Sequence, residues 1–352
     1  MYDGKLKSFS FMLIEYLSMR GFFLGVSFVF FIAIGSFAQR DPDQVYMSFI
    51  KTIKLNRFGD QLSYPIIALL SNDRLELNFD DLDADVKAYY YTFELRNADW
   101  SPVQMSFFDY VKGFTQVRIT TYRNSFLSLT PYTHYQAVLP DRNCYPTKSG
   151  NYLLKVFLNG DTSQLAFTRR ILVTDNRLSI AAQVTQPFNQ QYFQTHHRLQ
   201  VQLNTRGFDV RYPQQQMKVA ILQNYRWDNK LEFNTPAFVR QEMLQYNNEN
   251  EMVMPAVKEW RWVNLRSFRL LGDRVSSQKN TDSSFTVFVQ EEKPRIGQQS
   301  FFFNDQNGMF INETTENINP YWNADYASVH FQFKPPDGLP YPGKDLYLIG
   351  EM

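Results

Sequence analysis

Asp81, Asp83 and Asp85 place a carboxylate at every second position, the densest set of ligand-type residues in this 352-residue chain. Calcium loops space carboxylates this way so that several oxygens converge on one hard cation. Counted from Asp81, however, the sixth place holds Val86 where a tight turn needs glycine. The twelfth holds Thr92 where a bidentate Glu belongs. The expected structure is a solvated turn whose carboxylates cap neighbouring backbone N–H groups, with no metal held. The four histidines are His134, His196, His197 and His330. His196 and His197 point to opposite faces if they lie on a strand, so they are a poor chelating pair. No H-E-x-x-H, G-x-S-x-G, P-loop or G-x-G-x-x-G motif occurs. The single cysteine, Cys144, stands in a polar turn and reads as an incidental free thiol, which excludes a disulfide framework or a Cys-based zinc site. No catalytic residue, cofactor site or metal site is expected. A dispersed triad is the third-ranked reading, to be tested by whether a histidine shares a pocket with Ser, Asp or Glu.

Rings are the other abundant chemistry. Aromatic residues make up 16% of the chain, in close-set runs such as Tyr89-Tyr90-Tyr91, Trp260-Arg261-Trp262 and Tyr321-Trp322. Neighbouring residues of a strand face opposite ways, so each run must put at least one ring outward. Such rings favour a binding surface, for a protein or for a carbohydrate. The five tryptophans, Trp100, Trp227, Trp260, Trp262 and Trp322, are the candidate partner contacts. A net charge of +1 gives no field for nucleic acid, and no small-molecule substrate is implied.

The elements that must position these residues are strands. Residues 74–79 (RLELNF) alternate, with Leu75, Leu77 and Phe79 on one face, and Lys87 to Leu95 resumes the pattern after the aspartates. Further strands are expected at Val117–Thr121, His134–Leu139, Tyr152–Asn159 and Ala166–Thr174. A second set follows at Arg177–Thr185, Leu199–Leu203, Met217–Gln223, Glu259–Leu265, Phe285–Gln290, Phe301–Asn304 and Ser328–Lys334. Short strands between Gly, Pro, Asn and Asp turns, with no long helical period, predict an all-β fold of tandem immunoglobulin/fibronectin-like β-sandwich domains. The first spans residues 45–175 and the second 176–334. Residues 335–352 are a Pro/Gly linker and a strand-like run, Leu346–Ile349, that looks like the first strand of a truncated C-terminal early-set module.

Ahead of these lies an address. Gly21 to Gln39 carries no charge, Arg20 precedes it, and small residues Ser36 and Ala38 set up cleavage between Ala38 and Gln39. Residues 1–38 are therefore expected to be a signal peptide, with Met19 as an alternative start and an uncleaved anchor as the competing reading. Gln39 at the cleavage point is no lipidation site. The mature protein is expected to be exported.

Several longer stretches resemble one family. They include Ser71 to Leu77 running into FDDLDADVKAYYYTF, then Asn97-Ala98-Asp99-Trp100, Leu129 to Tyr135, Lys148 to Val156 and Leu222 to Asn229. Together they resemble the plug protein of the Bacteroidota type IX secretion system. The resemblance implies a non-enzymatic periplasmic protein at the inner side of the outer membrane. It would dock on the outer-membrane translocon β-barrel, touch the membrane only through that partner, and close the pore when no cargo is in transit. Family members continue past a strand like Leu346–Ile349 into a further small sandwich, which this chain is expected to lack. The alternative is an exported carbohydrate-binding or adhesin-like β-sandwich protein.

Overall fold

The computed structural model describes residues 42–208, 210–257, 260–295, 305–316, 319–335, 338, 341–351. The expected signal peptide, with Ala38 and Gln39, and the expected strand Phe301–Asn304 lie outside the described residues. Pro42–Met352 forms one compact unit. Its strands are β1 (Gln44–Val45), β2 (Ile50–Arg57), β3 (Ile66–Ala68), β4 (Leu75–Asp81), β5 (Tyr89–Arg96), β6 (Val111–Gly113), β7 (Val117–Arg118), β8 (Thr121–Asn124), β9 (Thr133–Leu139), β10 (Cys144–Pro146), β11 (Gly150–Leu158) and β12 (Leu165–Thr174). There follow β13 (Ser179–Thr185), β14 (His196–Asn204), β15 (Val219–Ile221), β16 (Leu231–Phe233), β17 (Phe238–Arg240), β18 (Met243–Tyr246), β19 (Val253–Pro255), β20 (Val275–Asn280), β21 (Phe285–Val289) and β22 (Ala327–His330). The all-β expectation holds. Among the described residues no helix is long and apolar enough to cross a membrane.

Up to Thr174 two sheets share one core. One has the order β1-β12-β11-β5-β7, with β3 parallel to β12, and the other the order β2-β4-β9-β8. The alternation read from the sequence explains the packing: Leu75, Leu77 and Phe79 of β4 are fully buried, as are Tyr89, Tyr152, Leu154 and Phe167. Phe79 is the hub. Its ring lies 5.1 Å from Tyr89, 5.2 Å from Tyr135 and 5.0 Å from Phe167, in mixed stacked and edge-on contacts.

The alternation also implies a solvated side for β4, and here the structure differs. Glu76, Asn78 and Asp80 are buried too, so all of β4 is enclosed. Chain from beyond residue 305 returns to cover that outer face. Asp325 accepts hydrogen bonds from Leu129 N (2.6 Å) and Thr130 N (3.2 Å). Phe126 N donates to the Trp322 carbonyl at 2.8 Å. Gln61 and Asn312 exchange two hydrogen bonds, at 2.7 and 3.2 Å. Lys54 donates to the Phe310 carbonyl at 2.7 Å and pairs with Glu351 at 2.9 Å.

The second core lies under the sheet β13-β14-β18-β17, to which β19 also pairs through β14. It is built from Val201, Leu203, Leu244, Tyr246, Met217, Val219 and Met252. A three-stranded sheet, β20-β21-β22, follows, with β22 parallel to β21. Two expected strands are absent. Trp260–Leu265 is irregular, because side chains rather than a ladder hold it: Trp260 N donates to Asp305 at 2.5 Å, and Arg261 pairs with Glu292 at 2.8 Å. Leu346–Ile349 is also irregular and exposed, since no described strand supplies its hydrogen bonds.

The ring hub yields a first prediction. Phe79→Ala should lower the free energy of unfolding by about 3–5 kcal/mol in urea titration. A loss under 1 kcal/mol would show that the cluster repacks.

Candidate functional site

The aspartate turn is solvated at Asp83 and Asp85, as expected, but not at Asp81. Asp81 is fully buried, because it ends the enclosed strand β4. The three carboxylates offer oxygens within 4.8 Å of one another, and the cation among them is the chain's own. Lys87 Nζ lies 2.8 Å from Asp81 and 2.9 Å from Asp83, and also bonds Asp85. Its other side meets the Phe49 ring at 4.6 Å. Tyr89 donates its hydroxyl to Asp81 at 2.7 Å, and Asp83 N caps the same carboxylate at 3.0 Å. Burial works against the ammonium charge, yet the bonds to Asp81, Asp85 and Asp83 outweigh it and hold Lys87 above the ordinary lysine value. Burial, then Asp81, raises the Tyr89 phenol in the same way. A lysine six residues after the first aspartate was the sequence signal for this internal counter-ion.

His134 does meet a carboxylate. It pairs directly with Asp80 across the β4–β9 ladder. Its Nδ1 is 2.6 Å from Asp80 Oδ1 and its Nε2 is 3.1 Å from Asn78 Oδ1. Tyr326 donates to the other Asp80 oxygen at 2.6 Å, and its hydroxyl also meets Thr52 Oγ1 at 2.6 Å. Thr52 has φ 51°, at a register irregularity between Lys51 and Lys54, so a bulge turns it toward Tyr326. Tyr321 lies over the imidazole with ring centres 5.0 Å apart. With His134 only 3% exposed, this His–Asp pair fastens the returning chain and presents no face to a substrate.

The other histidines are more isolated. His196 rests on Tyr192 (4.6 Å) and bonds Thr195 (2.8 Å). His196 and His197 reach one shallow cleft, whose lining of Val184, Thr185, Gln186, Phe193, Gln194 and Ala256 includes no Ser, Asp or Glu. His330 stacks on Phe288 at 4.8 Å. Cys144 is buried in β10, not in a polar turn, and burial with Asp141 nearby pushes its thiol up to about 12, far from a reactive thiolate.

The tryptophans divide. Trp100 and Trp227 meet edge to face at 4.9 Å, and the Arg170 guanidinium lies over both rings, 5.1 and 4.9 Å away. Asp43 holds Arg170 through Nη1 and backbone N, each at 2.6 Å. Tyr225, next in the same loop, stacks on Tyr64 at 4.8 Å. This junction joins the first sandwich to the loop 222–229, so two of the stretches that carry the family resemblance meet here. Trp100 (φ 68°), Asn224 (φ 53°) and Tyr225 (φ 59°) all sit in the left-handed region. Each such residue costs on the order of 1–2 kcal/mol, which only a well-packed surrounding can hold in place. Trp260 lies against Gly308 (φ 83°), where an added Cβ would come within 2.9 Å of the indole. Trp322 is covered by Arg123 at 4.4 Å. Trp262 keeps 37% of its surface exposed. Sequence reasoning missed the roles of Arg170, Tyr321 and Tyr326, which depend on partners far away in the chain.

The fold and these interactions define a β-sandwich scaffold whose buried polar groups brace its own segments. Residues 50–175 match the family model described as "Type 9 secretion system plug protein 1st domain". The match lies within this segment of the chain and supports a role associated with type 9 secretion. The match indicates no enzymatic family. No curated protein matches the chain. Among solved structures the chain is similar to a hypothetical protein from Parabacteroides merdae ATCC 43184, at 27% identity with a TM-score of 0.80, over 85% of this chain and 75% of that one.

Two outcomes test the polar clusters. Lys87→Met should destabilise the protein by about 3–5 kcal/mol, since it leaves Asp81 buried without its counter-charge. The pH dependence follows from the raised Lys87 and Tyr89 values. Groups with raised folded values contribute stability in full below their unfolded values. That contribution falls as pH rises past about 10, the ordinary tyrosine and lysine range. Melting temperature should therefore lose no contribution from this pair between pH 7 and 9 and lose it above pH ~10, with a smaller alkaline loss in Lys87→Met.

Proposed function

We propose that this chain is a non-enzymatic periplasmic plug, which docks on the outer-membrane translocon β-barrel of the type 9 secretion system and closes its pore when no cargo is in transit. The carrying observation is the plug first-domain match over residues 50–175. The architecture supports it. A steric seal needs bulk that does not deform, and here strand β4, inside the sheet β2-β4-β9-β8, is buried along its whole length. The near balance of charge, at +1 overall, removes long-range steering, so recognition rests on shape. The tryptophans proposed as partner contacts then act in two ways. Trp100, Trp227, Trp260 and Trp322 hold the docking body together, and Trp262 offers an accessible ring to the partner.

Deleting the gene should make the outer membrane leaky to small solutes while barrel assembly proceeds. An unchanged permeability in cells whose barrel holds no cargo would sink the proposal. Trp262→Ala should weaken co-purification with the barrel about tenfold or more if the ring is a hot spot. Trp100→Ala should instead lower the melting temperature.

A further inference from the structure

Strand β13, Ser179-Ile180-Ala181-Ala182-Gln183-Val184-Thr185, lies at the edge of its sheet. It pairs with β14 along its whole length without a bulge, and no described strand pairs with its other side. A free edge of this kind is a template for further pairing, and proteins blunt it with charge, proline, bulges or shortness. The other edges here show such devices. β8 carries Arg123, β17 is three residues long and ends in Arg240, and β7 is two residues long and ends in Arg118. β13 has no charge, proline, glycine or bulge over 7 residues.

Its apolar face is also uncovered. The register sets Ile180 opposite Leu203, Ala182 opposite Val201 and Val184 opposite Leu199. Ile180 and Val184 therefore point to the same side as the buried Val201 and Leu203, yet remain 65% and 61% exposed. The core stops one strand short of the sheet edge.

The sequence of the strand says what fits. Read antiparallel against itself about Ala182, Ile180 faces Val184, Ser179 faces Thr185, Ala181 faces Gln183 and Ala182 faces Ala182. β-branched side chains meet β-branched, hydroxyls meet hydroxyls, and no like charges are opposed. We propose that two copies of this chain pair through β13 about a two-fold axis at Ala182, joining their β13-β14-β18-β17 sheets into one continuous sheet. The contact is isologous and closed, so it stops at a dimer. It places Ile180, Ala182 and Val184 of each copy side by side on the core-facing surface. Two seven-residue strands bury less than the roughly 1,200 Å² of a standard interface, so the dimer is weak and concentration-dependent.

Disulfide trapping tests the register. Residues directly opposed across an antiparallel pair have Cα atoms about 4.5–5.5 Å apart, inside the range that a disulfide spans. Ala182→Cys, expressed in the full chain and oxidised in intact cells, should yield a covalent dimer. Ser179→Cys, on the same exposed strand, would stand about 20 Å from its copy and should not. The sole native cysteine is buried and does not compete. At least tenfold more dimer from Ala182→Cys than from Ser179→Cys is the expected result. Equal trapping at both positions, or none at either, overturns the proposal. Sedimentation of the unsubstituted chain purified from the envelope gives an independent reading that needs no variant to fold. It should show a dimer that dissociates on dilution and is lost in Ala182→Lys, and a monomer at every concentration up to about 100 μM overturns the proposal. Neither measurement depends on a barrel partner, so the result stands apart from the plug reading.

Discussion

Strand β4 is enclosed on both faces, and most of the molecule is arranged around that fact. One face sends Leu75, Leu77 and Phe79 into the sandwich, where hydrophobic burial and ring packing fix the two sheets. The other carries Glu76, Asn78 and Asp80, which cannot be buried without partners. Each has one. Gln136 donates to Glu76 at 2.6 Å, His134 meets both Asn78 and Asp80, and Tyr326 completes Asp80. The chain beyond residue 305 replaces water over that polar face, and Tyr326 is the side chain by which it bonds Asp80. Lys87 does for Asp81, at the end of the strand, what Tyr326 does for Asp80.

The first sandwich was largely legible because period-two alternation, turn residues and β-rich composition agree there. β4, β5, β9, β11 and β12 fall within a few residues of their expected bounds. What alternation conceals is whether a polar face meets water or another part of the chain. Asp80, Asn78 and His134 look like surface residues until the register places Asp80 opposite His134, whose ring also reaches Asn78, and Tyr321 closes over the imidazole. The aspartate turn misled for a related reason, since carboxylate spacing was compared with metal loops while the neutralising ammonium stood nearby at Lys87. Further along, Trp260–Leu265 is rich in strand-type residues and still forms no strand. Alternation records a preference for a half-buried surface, and only a neighbour with free backbone groups turns it into a ladder.

The tryptophans show how ring abundance divides between surface and scaffold. Composition favours outward rings, but Trp100 and Trp227 are directed at each other with a guanidinium lying over both. Left-handed backbone at Trp100, Asn224 and Tyr225 shows that the geometry is imposed by the junction and not chosen locally. A body assembled in this way resists relative movement of its parts, which suits a role that is steric and not chemical.

The cladding of β4 also sets an order in time. Tyr326 reaches Thr52 across 274 positions, and Glu351 reaches Lys54 across 297. A chain threaded N-terminus first therefore delivers the sheet long before the residues that finish it. During that interval Asp80 and His134 lack their final cover, and the outer face of the sheet is wet. Closing so long a loop adds little entropy beyond that of a moderately long one, because the cost grows only with the logarithm of length. Completion is accordingly governed by arrival rather than by search: the first sandwich reaches its full stability only when the residues from Tyr326 to Glu351 have followed it.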